Sequence, residues 1–281
     1  MITLNFSIAI KASKEKVWYS LWDDENYEAW VSAFCEGSYA ISDWNQASKI
    51  YFLDQNGSGM NSEIALNKPF ETMIFKHLGE LKEYVELPET EATKDWSGAE
   101  ERYDLEESNG ITTVTVTIDL VEKYLDYFKE TFPLALEKLK AIAESDTKTI
   151  TVRTTLTSSL ADVWNKFTQP EHIVNWNFAS EDWHCPKAEN HLDVGQNFVY
   201  TMASKDGEMS FDFVGTYQEI IPMKKLVYQI ADGRNVTVKF DVMNNKVILT
   251  ENFEPENIHS VALQREGWQS ILNQFKKYNN S

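Results

Sequence analysis

Hydrophobic and polar residues change period along this chain in an order that occurs twice. Leu4, Phe6, Ile8 and Ile10 alternate with polar neighbours, as a half-buried strand requires. Ser13 then stands where a helix would be capped, and Val17-Trp18 opens a segment that reaches Trp30. The same grammar returns from residue 149. Ile150, Val152, Thr154 and Leu156 share one strand face, and Ser158 or Ser159 can cap a helix with Asp162 in its first turn. Leu160, Val163, Trp164 and Phe167 fall at helical spacing. Pro170 starts a second short helix, where its missing N–H costs nothing, and that helix ends near Trp176. The pair Trp18 and Trp30 recurs as Trp164 and Trp176 at a constant offset of 146 residues. A unit repeated once with its own strands and helices predicts two similar domains, 1–146 and 147–281.

Each copy continues into strands and closes on a long amphipathic helix. In the first, strand-like segments fall near residues 48–53, 61–66, 71–77, 99–105 and 111–120, and the helix covers about 122–143. Pro133 inside that helix predicts a kink or a break. In the second, Phe198, Tyr200 and Met202 alternate, as do Phe211, Phe213 and Gly215, followed by runs at 226–230, 236–240 and 247–253. Asp232-Gly233 and Asn244-Asn245 are hairpin signals, so the strands form an antiparallel meander. The closing helix spans 259–278, with Val261, Trp268 and Phe275 on its apolar stripe. A polar stretch at 88–96 reads as an insertion whose Trp96 either plugs a cleft or tips a lid.

Composition refines this picture. The net charge of −18 disfavours nucleic acid and anionic membrane as partners. It is uneven: residues 1–146 hold 28 acids and 13 bases, a net −15, against 16 and 13 in the second half. That excess reads as solvated surface or as a docking face for a basic partner. Cys35 and Cys185 are too few for a disulfide framework, the opening residues alternate like a strand rather than a leader, and no apolar run is long enough to span a bilayer. A cytoplasmic location is expected.

The order of strand, two short helices, meander and long closing helix resembles the helix-grip fold of the START-like (SRPBCC, Bet v-like) superfamily. The words Val163-Trp164, Thr168-Gln169-Pro170-Glu171-His172-Ile173-Val174-Asn175-Trp176, Phe211 through Ile220 and Gly267-Trp268-Gln269 are similar to the branch related to the activator of the heat-shock-protein-ninety ATPase. The first half departs from that pattern, with Asp24 where Pro170 would align. The resemblance implies an α+β chain of two tandem helix-grip domains, each a curved antiparallel sheet with two short helices and a long C-terminal helix. A curved sheet gripped by one helix leaves a pocket, apolar with a few placed polar groups.

The aromatic surplus supplies its walls. In the first domain the candidate ligand-binding residues are Trp30, Phe34, Phe52, Phe75, Tyr103 and Phe128, with His77 as a polar group. In the second they are Trp176, Trp183, Phe198, Tyr200, Phe213, Tyr228 and Trp268, with His184. Asp182-Trp183-His184-Cys185 with His191 lacks the three or four convergent ligands a metal needs, so no metal, no cofactor and no catalytic residue is expected. The expected function is non-catalytic binding of a small hydrophobic ligand. Two alternatives are a chaperone-associated regulator acting on a basic protein surface, with a stress-response role, and a cyclase- or hydratase-like enzyme using pocket acid/base residues.

Overall fold

The computed structural model describes residues 1–280, without the side chain of Ala92, and its chain divides into unit 1, Met1–Thr147, and unit 2, Lys148–Ser281. Unit 1 runs β1 (Ile2–Ile10), α1 (Lys14–Trp22), α2 (Asp24–Val31), β2 (Tyr39–Ile41), β3 (Lys49–Leu53), β4 (Gly59–Lys68), β5 (Thr72–Lys82), β6 (Val85–Glu86), α3 (Glu91–Lys94), β7 (Glu100–Ser108), β8 (Ile111–Leu120) and, after a 3-10 turn at Glu122–Tyr124, α4 (Leu125–Glu144). Among the described residues its strands form one antiparallel sheet in the order β1-β8-β7-β5-β4-β3-β2, with β6 on the side of β5. The opening strand thus pairs with the last, Ile2 opposite Leu120 and Ile10 opposite Thr112.

Local chemistry explains the elements. Ser13 has extended backbone angles and accepts from the Lys16 N–H at 3.3 Å, starting α1. Alternation along β8 buries Thr112, Val114, Val116, Ile118 and Leu120. The closing helix α4 lays Phe132, Ala135, Leu136, Leu139 and Ala143 inward, and Phe132 stacks on Phe6 of β1 at 4.8 Å. Pro133 does not break it. Pro133 and Lys129 are both exposed, so the carbonyl that the proline leaves unpaired faces water while the buried stripe keeps its packing.

Unit 2 repeats the plan: β9 (Ile150–Leu156), α5 (Leu160–Thr168), α6 (Pro170–Ile173), β10 (Trp183–Asn190), β11 (Asn197–Ser204), β12 (Ser210–Ile221), β13 (Lys225–Ile230), β14 (Asn235–Met243), β15 (Lys246–Phe253) and α7 (Val261–Asn279). Its antiparallel sheet has the order β10-β11-β12-β13-β14-β15-β9 among the described residues, so its first strand also joins its last. Ser159 and Ser260 cap α5 and α7 by accepting from Asp162 and Leu263, each at 3.2 Å. Asn244 and Asn245, with φ of 51° and 59°, make the two-residue turn between β14 and β15, as a primed hairpin turn demands. At Gly215 an added Cβ would lie 2.3 Å from the Phe198 ring, so the glycine lets that ring lie flat over β12. These are two tandem helix-grip domains of the α+β class. No helix among the described residues is long and apolar enough to cross a membrane.

Candidate functional site: an aromatic cavity in unit 1

Unit 1 holds an open cavity of about 610 Å³. The first two helices supply part of its wall. Trp22 at the end of α1 and Tyr27 and Trp30 on α2 are all buried. The Trp30 indole N–H donates to the Leu21 carbonyl at 3.1 Å, which fixes that ring. Phe34 follows α2 and meets Phe132 of α4 edge-on at 4.9 Å and Phe128 at 6.1 Å. Phe52 on β3 and Phe75 on β5 meet edge-on at 5.2 Å, and Trp22 meets Tyr103 of β7 at 5.1 Å. Gly59 opens β4 beside them; a Cβ there would strike the Phe52 carbonyl oxygen at 1.9 Å. Trp96, from the polar insertion after β6, also lines the cavity, half-buried.

The sheet adds one polar corner. A register shift between Asn61 and Ser62 sets Ser62 of β4 opposite His77 of β5. His77 is only 5% exposed, and its Nδ1 lies 2.9 Å from the Ser62 hydroxyl. On β7, Glu101 and Tyr103 share a face two residues apart, and Glu101 pairs with Phe75 across the sheet. Its Oε2 lies 3.5 Å from His77 Nε2, and its Oε1 accepts from the Tyr103 hydroxyl. When Ser62 donates to Nδ1, the imidazole proton sits on Nε2 and points at Glu101. Burial, reinforced by the Glu101 charge, pushes the Tyr103 and Tyr27 phenols well above the ordinary range, so both stay neutral. His77, Glu101 and Tyr103 all face the cavity, so a guest would meet a carboxylate, an imidazole and a phenol in one place.

All seven residues proposed from the sequence in unit 1 line this cavity: Trp30, Phe34, Phe52, Phe75, His77, Tyr103 and Phe128. In unit 2 the proposed residues sit differently. Phe198 and Tyr200 on β11 stack at 4.6 Å, and Phe198 meets Tyr228 of β13 edge-on at 5.0 Å and Phe213 of β12 at 5.7 Å. Trp268 of α7 stacks on Phe253 at 4.0 Å and meets Phe213 at 6.1 Å. Trp176 lies in a third group with Phe167 and Phe275, its indole N–H donating to the Lys166 carbonyl at 3.0 Å. Trp183 and His184 are half-buried on the edge strand β10, with Trp183 beside the exposed Phe211 at 5.8 Å. Burial pushes the neighbouring Cys185 thiol up to about 11. Among the described residues no three metal-ligating side chains converge.

A family model described as Activator of Hsp90 ATPase homolog 1-like protein (AHSA1) matches residues 157–280. The AHSA1-like protein from Aeromonas hydrophila, known from a solution structure, is 36% identical over 47% of this chain and 92% of its own, with a TM-score of 0.46. The chain belongs to the AHSA1-like family. The solution structure of Chr148 from Cytophaga hutchinsonii is similar too, at 42% identity over 47% of this chain and 91% of its own, with a TM-score of 0.43. No curated protein matches the chain. The AHSA1 match falls within unit 2, whereas the aromatic cavity lies in unit 1.

Two carboxyls of this AHSA1-like chain escaped the sequence reading. Glu101 is two residues before Tyr103, and strand periodicity alone puts both on one face. Glu251 sits in the alternation Val247, Leu249, Glu251, Phe253 on β15, an acid in an apolar series. The register places it between Val238 of β14 and Val152 of β9, and burial pushes its carboxyl up to about 8.

Proposed function

We propose that unit 1 of this AHSA1-like chain binds a small, largely apolar ligand without transforming it. The observation that carries this reading is the cavity of about 610 Å³ walled by aromatic rings. Its size falls within the roughly 300–1,000 Å³ of pockets that hold small organic ligands. The corner of His77, Glu101 and Tyr103 would orient one polar group of the guest while the rings cover the rest. Native mass spectrometry and thermal shift against a panel of aromatic and lipid compounds test the proposal. Binding should be lost in Ala99→Phe, which fills the wall at a residue 2% exposed, with the fold kept. A panel with no binder, or one whose binders are indifferent to Ala99→Phe, refutes it.

A second reading gives the same corner acid/base chemistry, favoured by a buried imidazole 3.5 Å from a carboxylate beside a cavity. It requires that a bound guest be converted, and that His77→Gln stop conversion while binding persists. A regulator's role of the kind the family description names is supported by that match and by the acidity of unit 1, and it ranks behind the cavity.

A further inference from the structure

The residues around the cavity carry an uneven charge. Asp54, Glu80, Glu101 and Asp119 line it, and neither lysine nor arginine does. Asp54 and Asp119 accept from neutral donors, and Glu101 sits between the Tyr103 hydroxyl and the His77 imidazole. Asp54 accepts from the backbone N–H groups of Asn56 and Ser58 at 2.8 and 2.9 Å, which hold its carboxyl below the usual range and so ionised. Asp119 accepts from the Thr3 hydroxyl at 2.7 Å, and Glu101 from the Tyr103 hydroxyl. Among the described residues none of the four forms an ion pair with lysine or arginine. Glu101 has a side chain only 17% exposed.

Trp22, Tyr27, Trp30, Phe75 and Tyr103 line the same volume, and any ring that turns its π-face to a bound cation attracts it. An anionic guest would meet four acidic side chains and no lysine or arginine to balance it. A cation would find Glu101 at the polar corner and aromatic rings around it. The net charge of −15 over residues 1–146 steers the same sign of guest toward the mouth.

We infer that the guest of the unit 1 cavity is an organic cation, a small aromatic or alicyclic amine. This rests on the reading of the cavity as a ligand site. Calorimetry on the full chain with three guests of one naphthyl skeleton tests it, bearing an aminoethyl, a hydroxyethyl or a carboxymethyl group. The amine should bind about tenfold more tightly than the alcohol, a difference of about 1.4 kcal/mol, and the carboxylate more weakly than both. Glu101→Gln should remove most of the amine's advantage and leave the alcohol unchanged. If that variant does not fold, Asp119→Asn, at a half-buried strand position, should narrow the same amine-to-alcohol ratio. An alcohol or carboxylate that binds as tightly as the amine overturns the charge inference and leaves the cavity reading intact. An amine-to-alcohol ratio unmoved in the folded variants also overturns it. Failure of all three guests to bind overturns the charge inference, and the cavity reading then rests on the wider panel.

Discussion

Glu251→Gln should change how the stability of unit 2 depends on pH. Glu251 is 6% exposed, set between Val238 and Val152, and burial alone raises its carboxyl from 4.5 to about 8. Below pH 4.5 the folded and unfolded chains both hold this proton, so it contributes no pH dependence. Between 4.5 and 8 the unfolded chain has released the proton while the folded one keeps it. Folding then takes up a proton, and stability falls as pH rises, by at most about 1.4 kcal/mol per pH unit. Above pH 8 both states are ionised and the loss is complete, on the order of 5 kcal/mol. Gln cannot ionise, so the stability of Glu251→Gln relative to the parent should climb from pH 5 to about pH 8 and level off above it. Glu251→Leu, which lacks the amide's hydrogen-bonding demand, should show the same climb. Other titrating groups are shared and cancel in the difference. Hydrogen exchange along β15, read by mass spectrometry across that pH range, reports the relevant unfolding. A difference that stays constant from pH 5 to pH 9 would refute the argument, because it would mean that Glu251 is ionised and solvated in the folded unit.

Two further outcomes follow from the packing of unit 2. Gly215→Ala places a Cβ against the Phe198 ring, and overpacking of that kind should cost about 1–3 kcal/mol in a denaturant titration; an unchanged midpoint would show that the ring moves freely. Thiol titration at pH 7.5 should modify exposed Cys35 and spare Cys185, which is buried with its thiol raised to about 11, until denaturant is added and both react.

Much of the fold was legible because the signals are local. The Trp pairs, the capping serines at 13 and 159, and the Asn244-Asn245 turn each act within a few residues. What stayed hidden depends on partners far along the chain. β2 is three residues long and β6 two, too short for any alternation to register. β10 contains Pro186, which central strands exclude; it is tolerated because β10 is an edge strand with a register shift between His184 and Lys187. The helix at Glu91–Lys94 rests on a capping box built from two threonines, Thr90 and Thr93, rather than the usual acid or amide at the third position. The site divides in the same way. Its aromatic walls are apolar residues on strand and helix faces, which periodicity exposes. Its polar corner exists because a register shift brings Ser62 to His77 and because Glu101 lies across from Phe75, and neither pairing is written in any local stretch.

The pairing of first strand with last has a consequence for synthesis on the ribosome. Ile2 waits for Leu120, and Thr151 donates a hydrogen bond to Asn252, 101 residues later. Each opening strand therefore emerges with its ladder groups unpaired and stays so until nearly the whole lobe has been translated. At about 5–20 residues per second that interval lasts several seconds or more. During it the nascent chain carries a sticky edge, so slow codons late in each lobe should lower its soluble yield far more than slow codons in the linker.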